Sequence, residues 1–250
     1  MKASSTTTHP SSWRQLTRAA LLLVVGAVVL AIVLATLGIG VVGTHGGGVI
    51  QAWDDSVGRW FLHRRDGLVG ASKVVAILGD APVLGGLTVV ITITLVALGQ
   101  RTRAFMPLVA YLGAEFLVTL TRIYVHRPRP ATADFPAPGA IPGIHETSAS
   151  FPSGHATAAS AVVVSLAGMA VVTWERWWPW IVGGMLVLST ALSRLVLGVH
   201  WFSDVTFGLA IGVAWGVVVI VVLADAPWPF GPDRQVAPPS DVGLHPPPGT

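Results

Sequence analysis

The sequence predicts an all-helical protein that crosses a membrane six times, and three observations carry that prediction. Hydrophobic residues make up 52% of the 250 residues and charged residues only 11%, against about 25% charged in an ordinary soluble domain. The mean hydropathy is +0.69. Six apolar runs are about long enough to span a bilayer, which takes roughly 17–25 helical residues, the third and fifth standing at the short end. Those runs are continuous, whereas the strands of a transmembrane barrel alternate apolar and polar positions over segments of about ten residues.

The first run, residues 19–42, carries no charge. It is too long for the apolar region of a signal peptide and is not followed by a clear small-residue cleavage pattern, so it reads as a retained helix. The second, residues 74–98, carries only Asp80, near its start. The third, residues 104–120, carries only Glu115. The fourth, fifth and sixth, residues 156–173, 177–192 and 205–224, carry none. Gly208, Gly212 and Gly216 form a stripe of small residues on the sixth, as expected where helices pack closely. Three regions follow: an N-terminal arm over residues 1–18, a helical membrane domain over residues 19–224, and a tail over residues 225–250. Eight of the chain's 18 prolines lie in that tail, which is expected to be disordered and cytoplasmic.

Orientation follows from Lys and Arg. Lys2, Arg14, Arg18, Arg101, Arg103, Arg176 and Arg234 fall on one side. Arg59, Arg64, Arg65, Lys73, Arg122, Arg127, Arg129 and Arg194 fall on the other. Setting aside the last four, which sit in the clusters described next, leaves seven against four and places both termini in the cytoplasm. The first outer loop has Ile50, Trp53, Val57, Trp60 and Phe61 at helical spacing. That pattern fits a helix lying in the interface or one packed on the bundle. A pI near 10.0 with a net charge of +3 points to the membrane surface rather than to nucleic acid, because the few charges sit between apolar spans. The chain has no cysteine, which excludes disulfides, thiolate metal sites and a cysteine nucleophile.

Three polar clusters then fall at the outer ends of the spans. Arg122 precedes Arg129 and Pro130 after helix three. Pro152, Ser153, Gly154 and His155 open helix four. Ser193 and Arg194 precede His200 and Asp204 between helices five and six. Arginine keeps its charge and offers a planar fork of donors that fits phosphate oxygens. Ser153 and Gly154 stand at a helix start, where free N–H groups and the helix dipole favour an anion. His200 and Asp204 are four residues apart, so a carboxylate on one ring nitrogen leaves the other nitrogen free to act as nucleophile. His155, at the anion-binding helix end, is placed to protonate a leaving alkoxide. Together these residues describe a two-step phosphoryl transfer through a phosphohistidine. Arg127 reads as a headgroup-facing arginine outside the core of the site, and Asp80 as a candidate support for the arginine cluster. Convergent arginines oppose a dication, so no metal and no cofactor are expected.

The pattern R-x6-RP, PSGH and SR-x5-H-x3-D resembles the type 2 phosphatidic acid phosphatase (PAP2) superfamily. It spans residues 122–204, about a third of the chain, and the six-helix layout extends it. The resemblance implies a PAP2-type helical bundle with phosphohistidine chemistry at His200, a general acid at His155 and Asp204 supporting His200. It also implies phosphate binding by Arg122, Arg129, Ser153, Gly154 and Arg194, without a metal. One departure stands out: the family's first motif usually begins with Lys, and Arg122 occupies that position. The implied function is a phosphatase in the plasma membrane, with its site on the extracytoplasmic face. Its substrate would be phosphatidic acid, phosphatidylglycerol phosphate or a polyprenyl diphosphate. The alternatives are a lipid phosphotransferase using the same site, and a non-catalytic lipid-binding or transport protein. For a transporter, the one candidate for a polar group at mid-membrane is Glu115. The pattern leaves the oligomeric state open.

Overall fold

A computed structural model describes residues 10–43, 48–101, 103–130 and 148–223. Eight helices follow in order: α1 (Pro10–Val42), α2 (Gln51–Leu62), α3 (Val69–Gly79), α4 (Ala81–Ala97), α5 (Met106–Val125), α6 (Gly154–Trp174), α7 (Trp178–Val196) and α8 (Phe202–Leu223). Among the described residues there is no strand. Five helices are long and apolar enough to cross a membrane, and α3 with α4 makes a sixth span if the bent pair is counted as one. The all-helical, six-span expectation therefore holds. The tail from residue 224 on lies outside the described residues, and α1 starts at Pro10, inside the stretch expected to be an arm.

The second span differs from its sequence reading. It is not one helix over residues 74–98, because α3 and α4 meet at an angle of 50°. The break is at Asp80, whose backbone is extended (φ −63°, ψ 135°). Gly79 ends α3, and Pro82 lies in the first turn of α4, where its missing N–H costs nothing. The same proline inside a continuous helix would remove a ladder bond and clash with the turn before it.

Burial is ordered from the inside out. α6 is the axis of the bundle, with 72% of its apolar window buried, against 12% for α1. Its hydroxyls do not compete for outside partners: Thr157 Oγ1 donates to Ser153 O at 2.9 Å and Ser160 Oγ to Ala156 O at 2.6 Å. α8 lies directly on α6 along the glycine stripe. A Cβ at Gly208 would stand 2.8 Å from Ser153 O, and one at Gly216 would stand 2.9 Å from Ala161 O. The expected packing role of the stripe is thus seen. The outward faces carry exposed Leu, Ile, Val and Met, including Leu21, Ile93, Met185 and Val221. This suits a solvent of lipid tails rather than water. α2 is a helix packed on the bundle, the second of the two readings of the first outer loop. Asp54 is buried against the bundle, while Trp53 and Trp60 remain 70% and 51% exposed.

Candidate active site

The polar clusters meet at one end of the bundle, where α5 and α7 end and α6 and α8 begin. α5 stops because His126 takes a left-handed conformation (φ 45°), after which Arg127-Pro-Arg-Pro runs without helix. Pro128 and Pro130 hold that segment extended. The chain returns at Ser150, whose N–H donates to Arg127 O at 2.8 Å.

Arg129 is anchored to two separate segments of the chain. Its Nε donates to Ser148 O at 2.9 Å, and Nη2 to Ser148 Oγ at 3.0 Å. Nη1 donates to Val199 O at 2.8 Å and lies 3.1 Å from His200 Nε2. A guanidinium has only donors, so His200 Nε2 is the acceptor and the ring proton belongs on Nδ1. His200 Nδ1 in turn lies 3.5 Å from Asp204 Oδ2. The pair is fully buried, and burial together with Arg129, Arg194 and Arg122 holds the His200 imidazole well below its ordinary pKa. A neutral ring with an unprotonated Nε2 is the nucleophilic form.

Asp204 is held from several directions. Ser150 Oγ and the Trp201 N–H donate to Oδ2, the latter at 2.9 Å. Arg127 Nη1 donates to Oδ1 at 2.7 Å. Here the structure corrects the sequence reading. Arg127 does not face headgroups; it is 0% exposed. Its Nη2 donates to Asp54 Oδ2 at 2.6 Å and to Gln51 Oε1 at 3.0 Å, and its guanidinium stacks 5.3 Å from the Trp201 ring. Asp54 also receives the Ser203 N–H at 2.8 Å and Ser203 Oγ at 2.6 Å. A carboxylate from α2 thus closes a buried network around Asp204. The sequence signal was the doubled arginine of R-P-R-P together with an acidic residue, Asp54, at helical spacing with Ile50, Val57 and Phe61.

The remaining predicted residues converge on the same space. Arg122, in the last turn of α5, donates through Nη2 to Pro152 O at 3.2 Å and through Nη1 to Ser148 Oγ at 3.3 Å. A Cβ on Gly154 would lie 3.5 Å from that Nη2, so the first residue of α6 sits against the guanidinium. Arg194 is buried at the end of α7 and accepts the Val199 N–H on its carbonyl at 3.2 Å. Ser153 precedes α6, and its N–H donates to Asp204 O at 3.0 Å. Its Oγ is buried with no hydrogen-bond partner among the described residues. His155 is the second residue of α6, and its Nε2 lies 2.9 Å from Asp80 Oδ1. Asp80 therefore contacts a histidine, a partner the sequence reading did not name. His145 and Glu146, in the loop before Ser148, lie outside the described residues.

A family model described as the PAP2 superfamily matches residues 103–228. The chain belongs to the PAP2 superfamily. Decaprenylphosphoryl-5-phosphoribose phosphatase of Mycobacterium tuberculosis is 34% identical over 158 residues, covering 62% of this chain and 80% of that one. Phosphatidylglycerophosphatase B of Bacillus subtilis is 34% identical over 80 residues, so the match spans only 39% of that relative's length. The fold is shared with two solved structures. A transmembrane PAP2-type phosphatidylglycerolphosphate phosphatase from Bacillus subtilis superposes with a TM-score of 0.63 at 24% identity, over 78% of this chain and 92% of that one. LpxE from Aquifex aeolicus gives 0.51 at 22% identity, over 62% and 86%. Family and named relatives together support a lipid phosphatase in a multi-pass membrane protein.

Proposed function

We propose that this PAP2 protein removes phosphate from a membrane lipid through a phosphohistidine on His200. The observation that carries the reading is the pair of contacts made by the His200 ring nitrogens. Arg129 donates toward Nε2 while Nδ1 faces the buried Asp204, so the Nε2 lone pair points to the arginines and becomes the nucleophile once a phosphate oxygen takes over the Arg129 N–H. In the first step Nε2 attacks phosphorus, the bond from phosphorus to the lipid oxygen breaks, and that oxygen takes a proton from His155. In the second, His155 removes a proton from water, the hydroxide oxygen attacks phosphorus, and the P–N bond electrons return to Nε2. Inorganic phosphate leaves. Arg122, Arg129 and Arg194, Ser153 Oγ and the unpaired N–H groups at the start of α6 bind the equatorial oxygens, where transition-state charge develops.

The reading extends to place. The distribution of Lys and Arg favours the extracytoplasmic face of the plasma membrane for this end of the bundle. A site at headgroup level meets the phosphate while the tails stay in lipid. The substrate class is a lipid-borne phosphate: phosphatidic acid, phosphatidylglycerol phosphate, a polyprenyl diphosphate, or the prenyl-linked phosphoribose named for the mycobacterial relative. The test is phosphate release from that panel by detergent-purified protein, with and without EDTA, beside His200→Ala. Release that survives EDTA and disappears in the variant is expected. Release from the variant at the wild-type rate would overturn the nucleophile assignment, and loss in EDTA would replace this mechanism with a metal-dependent one.

A further inference from the structure

Within the proposed phosphohistidine mechanism, on which this inference rests, we propose that Asp80 is the positioning residue of His155, fixing its Nδ1 as the atom that gives and takes the proton. Asp80 Oδ1 lies 2.9 Å from His155 Nε2. A carboxylate at that distance accepts, so Nε2 carries a hydrogen in both protonation states of the ring. The exchangeable proton is then on Nδ1. The imidazolium donates it to the departing lipid oxygen, and the neutral ring takes one back from water.

The surroundings make this carboxylate necessary. His155 lies in the field of Arg194 from α7, His200 from the α7–α8 loop, Arg122 from α5 and Arg129 from the segment after α5. An imidazolium among three guanidinium groups needs an opposing charge to hold its proton. From α3 and α4, the element packed on its remaining side, that charge is Asp80.

The backbone is built for the contact. Gly79 ends α3 where a Cβ would stand 2.7 Å from His155 Cδ2 and 2.7 Å from Thr190 Cγ2. Any side chain there would push the ring away. The break between α3 and α4 turns the Asp80 backbone out of the helical ladder at the one place where its carboxylate reaches the ring. Broken helices inside membrane proteins are tolerated where they line a cavity or a site.

The test separates help to the leaving group from general damage. Two probes share a dodecyl tail and differ in leaving group: dodecyl phosphate, which must expel an alkoxide, and a dodecyl-substituted nitrophenyl phosphate, whose nitrophenolate leaves unaided. The readout is the rate of the first burst and the amount of acid-labile phosphoenzyme, measured on the full-length protein in micelles. Asp80→Asn is expected to slow the burst on dodecyl phosphate by on the order of 100-fold, the scale of general acid assistance, and on the nitrophenyl probe by less than about fivefold. Gly79→Ala, which touches no charge, is expected to give the same split and covers the case of a misfolded Asp80→Asn. Equal loss on both probes, or no loss on either, would overturn the role of Asp80. Absence of a phosphoenzyme in the wild type would instead overturn the phosphohistidine reading itself.

Discussion

The two histidines of the site each face a carboxylate, and the pairs are built in opposite ways. His200 presents Nδ1 to Asp204, with side-chain exposures of 1% and 0%; His155 presents Nε2 to Asp80, with 13% and 47%. The first pair is sealed and cross-braced by Arg127, Ser150 and the Trp201 N–H. The second stands on a helix break and is open to solvent on the carboxylate side. A nucleophile needs one tautomer held permanently, and burial with fixed donors achieves that. A residue that passes protons out and back needs contact with water. On the proposed mechanism, location in the fold, more than residue type, divides the labour between two identical side chains.

That contrast breaks first at Asp204. Asp204→Asn is expected to lower phosphoenzyme formation by roughly 10³-fold on both dodecyl probes, because the wrong tautomer disables the nucleophile whatever the leaving group. Burst kinetics check this, and a loss confined to the alkyl probe would mean the roles of the pairs are reversed. Second, Arg127→Met leaves the Asp54 and Asp204 carboxylates buried without their shared cation. Removing one partner of such a network costs about 3–5 kcal/mol, so detergent thermal unfolding should show a clear drop, partly recovered by adding Asp54→Asn. A smaller effect concerns pH. Native His200 resists protonation, whereas the unfolded chain takes that proton below about pH 6.5. The unfolded state then binds more protons, so stability falls as pH drops below that value, with a slope of up to about 1.4 kcal/mol per pH unit. His200→Gln should flatten the slope, read from unfolding temperatures between pH 7 and pH 5. The smallest change is expected from Arg122→Lys, which restores the residue usual in the family. Lysine keeps the charge but loses the fork that reaches both Pro152 O and Ser148 Oγ. Steady-state kcat/KM should move by less than about tenfold, chiefly through KM.

Much of this architecture was legible in the sequence because the chain is so poor in charge. Against apolar spans, Arg122, Arg129, His155, Arg194, His200 and Asp204 stand out singly, and their spacing alone sets them at span ends. Arg127 was misread for the same reason. An arginine at a membrane surface ordinarily snorkels, and the partners that bury this one, Asp54 and Asp204, lie 73 and 77 residues away in sequence. No local pattern reports a pairing at that range. Asp80 was seen as a lone carboxylate in an apolar run, yet its partner was not, because the helix break that aims it depends on Gly79 and Pro82 acting together. The fold of α2 was half visible: aromatic spacing announced a helix, but only packing shows that Asp54 turns inward.

One further consequence lies in the seam between α6 and α8. Ser153 and Asp204 are joined backbone to backbone at 3.0 Å, and below them Gly208 and Gly216 bring α8 close against the α6 carbonyls of Ser153 and Ala161. Bilayers of different thickness tilt and bend spanning helices, and interfaces filled by long side chains yield by repacking. At this seam the α8 glycines meet backbone and the short side chains of Ala156, Thr157 and Val164. Ser153 stands two residues before His155 and Asp204 four residues after His200, so this one main-chain bond ties together the two segments that carry the histidines.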